Sequence, residues 1–328
     1  MIIFYIYFIL SLLLTYFISS NTLKFANKIN LIDNPKNSKN KIHNITTPKI
    51  GGIMILILIL NYLLYDLSLG KVKNSDIIMF LFFFIFFFIG LLDDYLNITP
   101  LKRIILYSLS IYIFSKINND LLVTSFYSET FNIKISFNKL SLCFSIFCII
   151  TLLNALNMFD GLNGSLIIYS SCVLVILFLI TLNPFIFVVI ISLMICLYLN
   201  LKNKTFLGNN GSSLLGSILA YLIIDTSKSF EFYMSAEHIL IIFFLPSMDL
   251  IRLFVVRIFN KKNPFYGDLN HFHHIVMFKY KNTIWIFSLI IFIFLSYGLS
   301  IVIEPIIVLI VSSTLYFALI YKNKNLIN

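Results

Sequence analysis

Long apolar segments recur along the whole chain, and they limit its fold more than any other feature. Of its 328 residues, 59% are hydrophobic and only 12% are charged. An apolar stretch of about 20 residues is long enough to cross the hydrocarbon core of a bilayer as a helix. A water-soluble fold of this length would need far more charge to cover its surface. We therefore predict an all-α polytopic membrane protein that forms a single domain over residues 1–328.

Polar residues, glycine and proline divide the apolar segments into about eleven predicted transmembrane helices. These lie near 2–20, 50–69, 77–92, 102–118, 137–153, 164–182, 185–200, 212–227, 237–258, 283–302 and 306–321. The segment 1–20 lacks the basic region and the cleavage site of a signal peptide, so we interpret it as a retained helix. Partial alternation of polar and apolar residues over 125–138 predicts a small hairpin.

Lysine and arginine are concentrated in alternate loops, which indicates the orientation of the chain. The loop between the first and second helices holds six lysines: Lys24, Lys28, Lys36, Lys39, Lys41 and Lys49. By the positive-inside rule, this loop is cytoplasmic, the N-terminus is periplasmic and the C-terminus is cytoplasmic. The net charge of +10 therefore reflects topology. Because the basic residues form no stripe, we expect no nucleic-acid partner.

The unusual polar residues collect on the predicted cytoplasmic side. Asp93 and Asp94 end the third helix, where they repel each other unless a cation or a basic group compensates. A solvated turn is the alternative for such a pair. Asn154 and Asn157 are spaced to share one helix face, and Asp160 follows them. Helix packing or capping could use the same residues.

Two further segments on this side suggest a phosphate or metal site. The glycine-containing turn 206–212 leads into an apolar helix, whose first amides could bind phosphate or simply form a turn. His271, His273 and His274 lie within four residues, close to Asp268, in a pattern that fits metal or phosphate binding. A purely structural cluster is the alternative.

Charged residues also lie within the ninth predicted helix. Asp249 and Arg252 are three residues apart, so they can form an intrahelical ion pair, and Arg257 follows. Charges at this depth are paired, close to the interface, or line a hydrated cleft. Carboxylates, basic groups and a glycine turn on one side together fit a magnesium diphosphate, because Mg²⁺ needs only one or two protein carboxylates when phosphate oxygens complete its shell.

The motifs around these residues resemble, in chain order, those of the polyprenyl-phosphate N-acetylhexosamine-1-phosphate transferases. The matching segments are 31–35, His43, 47–52, 90–94, 154–161, 206–209 with 211–212, 246–252, and 263–268 with 271–274. The His-x-His-His pattern is similar to the branch that uses UDP-N-acetylglucosamine or a related UDP-N-acetylhexosamine. The branch that makes the muramoyl-pentapeptide lipid usually has three consecutive histidines.

The resemblance implies transfer of a sugar-1-phosphate, GlcNAc-1-phosphate in this branch, to undecaprenyl phosphate in the bacterial inner membrane. UMP is released, and a lipid-linked cell-envelope glycan such as O-antigen begins. It also implies eleven helices around a cleft that faces the cytoplasm. The expected partners are the UDP-sugar, undecaprenyl phosphate and membrane lipid, and a homodimer is left open.

The resemblance also implies roles for individual residues. The catalytic set is Asp93, Asp94, Asp160, His271, His273 and His274. The substrate-binding set is Lys49, Asn154, Asn157, Phe206, Asn209, Arg252 and Arg257. Mg²⁺, or Mn²⁺ in its place, would be held by Asp94, Asp160 and Asn209. Phe206 would stack on uracil, and the histidines would bind phosphate oxygens.

Two positions depart from the family pattern. Asn209 stands where the family normally has an aspartate that binds magnesium, and Asn163 replaces the second acid of an Asp-Gly-x-Asp motif. An asparagine oxygen can bind Mg²⁺ but adds no negative charge, so we expect weaker metal binding unless neighbouring carboxylates compensate. A weakly active or inactive relative that binds polyprenyl phosphate therefore stays an alternative. A transporter is a third, although it would place ionisable residues near the midplane of several helices.

Overall fold

The computed structural model describes residues 2–35, 46–263, 270–277 and 282–322. The α-helices in these ranges are α1 (Ile2–Ser20), α2 (Thr22–Lys28), α3 (Gly51–Ser68), α4 (Asn74–Leu96), α5 (Pro100–Ile117), α6 (Ser141–Phe159), α7 (Ser165–Thr181), α8 (Pro184–Leu201), α9 (Gly208–Ser229), α10 (Ala236–Ile242), α11 (Phe244–Phe259), α12 (Phe272–Met277), α13 (Asn282–Val302) and α14 (Pro305–Lys322). The strands are β1 (Ile32–Asp33), β2 (Thr47–Pro48), β3 (Ser125–Ser128) and β4 (Ile133–Ser136).

Each predicted transmembrane segment overlaps a helix, but the number of membrane crossings differs from the prediction. Within the described residues, six helices are long and apolar enough to cross a membrane: α3, α4, α6, α8, α13 and α14. A seventh crossing results if α10 and α11, which are bent by 79° relative to each other, are counted as one span. The multi-pass helical architecture is confirmed, whereas the count of eleven is not.

Helix α9 lies at the centre of the bundle, which explains why it is less apolar than its neighbours. Fifteen of its 22 residues are buried, and it packs against α3, α4, α6 and α7. Small residues let the neighbouring helices approach closely. A Cβ atom at Gly216, for example, would lie 2.6 Å from Leu153 Cδ2 of α6. Because α9 is surrounded by other helices, little of its surface faces lipid, and it can be less apolar than its neighbours.

Helices α4 and α5 form a hairpin whose turn brings the two helix ends together. Helix α4 ends at Leu96 because Asn97 adopts the left-handed conformation (φ 48°), and the Asn97 amide donates to Asp93 O at 2.9 Å. Pro100, whose fixed φ suits a first helical turn, begins α5. Farther along, Tyr107 stacks on Phe86 with ring centroids 5.2 Å apart.

The hairpin predicted within 125–138 is confirmed. Strand β3 pairs with β4 in an antiparallel register that places Phe126 opposite Ile135. The Ser128 hydroxyl donates to Glu237 at the start of α10, which fastens the hairpin to the helical bundle. Cys143, Cys148, Cys172 and Cys196 are all free.

Candidate active site

The end of α4 meets the start of α9 through the side chain of Asp94. Asp94 Oδ1 accepts from the Asn209 amide at 3.2 Å, and Oδ2 accepts from the amide and the side chain of Asn210 at 2.9 Å and 2.6 Å. A carboxylate stabilises the first amides of a helix, where the dipole is positive. Gly208 (φ +76°) makes the turn that aims these amides at Asp94. A phosphate at this helix start would compete with Asp94.

Lys49 lies next to this carboxylate. Its Nζ atom is 3.5 Å from Asp94 Oδ1 and 3.6 Å from Asp33 Oδ1. The pairing of β1 with β2 sets Asp33 opposite Thr47 and so brings Asp33 close to Lys49. The Asp94 side chain has no exposed surface, whereas 22% of the Lys49 side chain is exposed. One ammonium is thus shared by two carboxylates, and its side chain keeps some exposed surface.

Helix α6 contributes the amide side chains. Asn157 Nδ2 donates to Asn209 Oδ1 at 3.0 Å and to Ser212 Oγ at 2.9 Å, which ties the end of α6 to α9. Asn154 Nδ2 donates to Ile150 O of its own helix. Asn157 and Asn209 therefore meet directly, as the resemblance implies for residues of one site.

Asp160 follows the last residue of α6. Burial raises the pKa of Asp160 well above its ordinary value, and the negative charge of Asp94 adds to the effect. A cation bound beside Asp160 would stabilise the ionised carboxylate and so reverse this shift. The ionised form of Asp160 would therefore be stabilised by a cation.

Asp93 points to a different neighbour from Asp94. Its Oδ2 atom accepts from Arg103 Nη1 of α5 at 2.9 Å, and Arg103 Nη2 also contacts Asn154 Oδ1 at 3.4 Å. Asp93 is buried, so the arginine compensates its charge. The sequence analysis did not identify Arg103. The signal was present, because residues 97–99 form a short turn that sets the first turn of α5 beside the end of α4.

A second polar network centres on Asp249 of α11. Its Oδ1 atom accepts from Arg252 Nη2 at 2.7 Å and from the Phe272 amide at 3.1 Å, and its Oδ2 atom lies 3.0 Å from His271 Nδ1. Arg252 also donates to Asn270 O at 2.6 Å. Since a carboxylate can only accept, the Nδ1 atom of His271 carries the hydrogen. This network fixes the start of α12 on α11.

The remaining residues of the predicted histidine site lie beside this network. His273 is fully buried, stacks on His271 with centroids 5.3 Å apart, and contacts the ring of Phe159, the residue before Asp160. The histidine segment thus packs on the end of α6. Arg257 is buried in α11. The side chain of His274, together with His43 and Asp268, lies outside the described residues.

The chemistry of these two regions suits different ligands. One ligand atom each from Asp249, His271 and His273 lies within 4.8 Å of the others, a spacing that could admit a metal ion. Asp249 is already paired with Arg252, however, and a cation there would be repelled by that guanidinium. By contrast, the carboxylate of Asp160 and the amide oxygen of Asn209 are oxygen ligands of the type that Mg²⁺ accepts. The region of Asp160 and Asn209 therefore fits magnesium better than the network around Asp249.

Phe206 is held in the turn that precedes α9. Its amide donates to Pro48 O at 2.7 Å, and its carbonyl accepts from the Gly51 amide at 3.0 Å. These bonds join the turn to the segment before α3, next to Lys49. The side chain of Phe206 is half-buried, and its stacking on uracil stays a prediction.

Comparison with known proteins assigns this chain to a family. Residues 77–227 match the glycosyl transferase family 4 model. The undecaprenyl-phosphate alpha-N-acetylglucosaminyl 1-phosphate transferase of Thermotoga maritima is 30% identical over 266 residues, which cover 80% of this chain and 78% of that protein. This chain belongs to glycosyl transferase family 4. The Escherichia coli (strain K12) protein of the same name is 24% identical over 272 residues, covering 77% of this chain and 71% of the relative.

Membership of glycosyl transferase family 4 confirms the resemblance found in the sequence. The family 4 match covers α4 to α9, which carry Asp93, Asp94, Asn157, Asp160 and Asn209. The network around α11 and α12 lies beyond the residues that the family model matches. The structure connects the two parts of the chain through the contact between His273 and Phe159.

Proposed function

We propose that this chain transfers N-acetylglucosamine-1-phosphate from UDP-N-acetylglucosamine to undecaprenyl phosphate and releases UMP. A phosphate oxygen of the lipid forms a bond to the sugar-bearing phosphorus, and the bond from that phosphorus to the UMP oxygen breaks. The names of the Thermotoga maritima and Escherichia coli relatives state the same lipid and sugar. The observation that carries the proposal is the direct contact of Asp94 and Asn157 with Asn209, which joins three helix ends in one site.

The donor would bind along the segment that joins Phe206 to Lys49. Phe206 would stack on uracil, because its ring is held in the turn before α9 while its side chain keeps some exposure. The partly exposed Lys49 would pair with the diphosphate. The histidine segment, packed against the end of α6, would offer N–H groups to the phosphate oxygens and so stabilise charge that develops in the transition state. His271, whose Nδ1–H is donated to Asp249, would donate from Nε2 as an imidazolium.

We infer that the cofactor is Mg²⁺, with Mn²⁺ as a substitute. It would be held by Asp160 and the side-chain oxygen of Asn209, with Asp94 as a third ligand. When bound, the ion would neutralise part of the diphosphate charge. The raised pKa of Asp160 supports this assignment, because such a carboxyl gains most from a nearby cation.

The site would face the cytoplasm of a bacterial cell, with the N-terminus in the periplasm. Twelve of the 18 lysines and arginines among the described residues lie on the site side, as the positive-inside rule requires of the cytoplasmic side. Among the described residues, the carboxylates on that side all belong to the motifs of the site: Asp33, Asp93, Asp94, Asp160 and Asp249. The product would begin a lipid-linked envelope glycan.

A relative without catalytic activity is the second candidate, favoured by Asn209 and Asn163. The structure weakens the argument from Asn163, whose side chain donates to Asn203 while its carbonyl accepts from Asn282 at 3.2 Å. Asn163 thus holds the loop after α6 against its neighbours. Of the two departures, Asn209 is the one that lies among the proposed metal ligands.

The deciding experiment is a transfer assay with purified protein, undecaprenyl phosphate, Mg²⁺ and radiolabelled UDP-N-acetylglucosamine. We expect labelled lipid and an equal amount of UMP. Asp94→Asn, which removes the charge but keeps the size, serves as the inactive control. Absence of lipid-linked product with every UDP-N-acetylhexosamine tried would refute the transferase and favour the inactive relative.

A further inference from the structure

The C-terminal helix α14 contributes one hydroxyl group to the network around Asp249. Tyr316 Oη donates to Asp249 Oδ1 at 3.0 Å and accepts from Arg252 Nε at 3.0 Å. Its ring is 2% exposed and packs against Phe272 with centroids 4.8 Å apart. We propose that Tyr316 is a positioning residue that sets the orientation of His271, a role that rests on the proposed transferase function.

The phenol suits this place because it can donate and accept at once without carrying a charge. Asp249 can only accept and Arg252 can only donate, and Tyr316 satisfies both. Phenylalanine at position 316 would keep the packing of the ring but would remove one donor from Asp249 Oδ1. It would also remove the acceptor of Arg252 Nε in a partly buried place, where an unsatisfied donor is unfavourable.

The effect of this hydroxyl would reach the proposed phosphate-binding residues through two short paths. Three donors hold Oδ1 of Asp249, and Oδ2 accepts from Nδ1 of His271. Because the carboxylate is held in this way, it fixes the plane of the imidazole. Arg252 donates to the carbonyl oxygen of Asn270, which is the residue before His271. Tyr316 contacts both groups that hold the start of α12, and it therefore governs where the second nitrogen of His271 points.

Tyr297 of α13 provides a matched control. It is also a buried tyrosine, and its hydroxyl donates to the carbonyl oxygen of Tyr233 at 3.0 Å. Tyr233 lies in the loop between α9 and α10. That loop follows the end of α9 opposite to Asn209. Tyr297→Phe thus removes the same atom at the far side of the bundle from the site.

The test compares Tyr316→Phe, Tyr297→Phe, His271→Ala and the double variant Tyr316→Phe/His271→Ala. If Tyr316 acts through His271, Tyr316→Phe lowers kcat about tenfold with KM for the UDP-sugar within about twofold, and Tyr297→Phe changes neither. In the His271→Ala background, Tyr316→Phe has no further effect on kcat, because the group that it positions is gone. An equal loss of kcat in both backgrounds, or an unchanged Tyr316→Phe enzyme, would overturn the proposal.

A second measurement does not depend on activity. Hydrogen exchange of the peptide 270–277 should be faster in Tyr316→Phe than in wild type, because the Phe272 amide donates to Asp249. Exchange in α9 should stay unchanged. If wild type transfers no sugar phosphate, the proposed function fails while this exchange difference still tests the contact. Unchanged exchange over 270–277 would contradict the positioning role.

Discussion

Asn157 and Asn209 are joined by a hydrogen bond of 3.0 Å from Nδ2 to Oδ1, which connects the end of α6 to the first turn of α9. The contact uses the one side-chain atom of Asn209 that could also bind a metal ion. A carboxylate at position 209 would accept the same hydrogen bond and add a negative charge. The site is thus compatible with either residue, and the two should differ in their demand for metal.

Asn209→Asp should keep or raise turnover and should lower the Mg²⁺ concentration that gives half-maximal rate. The added charge strengthens binding of a hard cation, while the contact with Asn157 survives. Turnover measured against Mg²⁺ concentration checks this. Asn210→Asp is the control, because Asn210 donates to Asp94 and to Lys49 O, so a carboxylate there would repel Asp94 and inactivate the protein. A large loss in Asn209→Asp would show that the site requires asparagine.

Metal binding should strengthen as pH rises, and Asp160 should cause the change. Burial raises the pKa of Asp160, so at low pH a proton occupies the carboxyl and competes with the cation. The affinity should therefore increase through a pH range above the usual value for an aspartate. Calorimetric Mg²⁺ titrations from mildly acidic to mildly alkaline pH test this. Asp160→Asn should bind weakly at every pH, whereas Glu231→Gln, at an exposed ion pair, should match wild type.

Arg103 should matter for both folding and activity, because it compensates a buried carboxylate. Arg103→Ala should lower the free energy of unfolding by about 3 kcal/mol, the cost of a buried charge that has lost its partner. Thermal unfolding in detergent measures this loss. The double variant Asp93→Asn/Arg103→Gln should recover the stability but not the turnover. Lys134→Ala, which breaks the exposed pair with Glu231, should change stability by less than about 1 kcal/mol.

Gly90→Ala should prevent the close approach of α4 and α9. A Cβ atom at Gly90 would lie 2.8 Å from Asn210 Cα, which is backbone and cannot rotate away. The expected cost is about 1–3 kcal/mol, together with loss of turnover as the amides of Asn209 and Asn210 move from Asp94. Gly298→Ala in α13 is the control, because nothing lies within 4 Å of the added atom. Equal unfolding temperatures for the two variants would contradict this account.

Hydropathy and charge were sufficient to predict the helical segments, the hairpin and the grouping of polar motifs on one side. They do not give the number of crossings, because a helix such as α9 that is surrounded by other helices need not be as apolar as one that faces lipid. The convergence of Asn157 and Asn209 followed from placing both motifs at helix ends on the same side of the membrane.

The separate roles of Asp93 and Asp94 could not be predicted from their adjacency. Consecutive residues on a helix point about 100° apart, so two neighbouring carboxylates usually contact different partners. One of them reaches Arg103 on α5 and the other reaches α9. Which neighbour each one meets depends on how α4 is rotated in the bundle, and the same kind of dependence hid Tyr316 from sequence reasoning.

The absence of a side chain at Gly90 has a consequence for how the site can change over evolution. Main chain rests on main chain where α4 crosses the start of α9, so this close approach does not involve the side chain at position 209. The close approach of α4 and α9 is therefore set at Gly90, whereas the charge beside it is set by the residue at position 209. An exchange between asparagine and aspartate at 209 would therefore change the charge of the site without moving the backbone of α4 against α9.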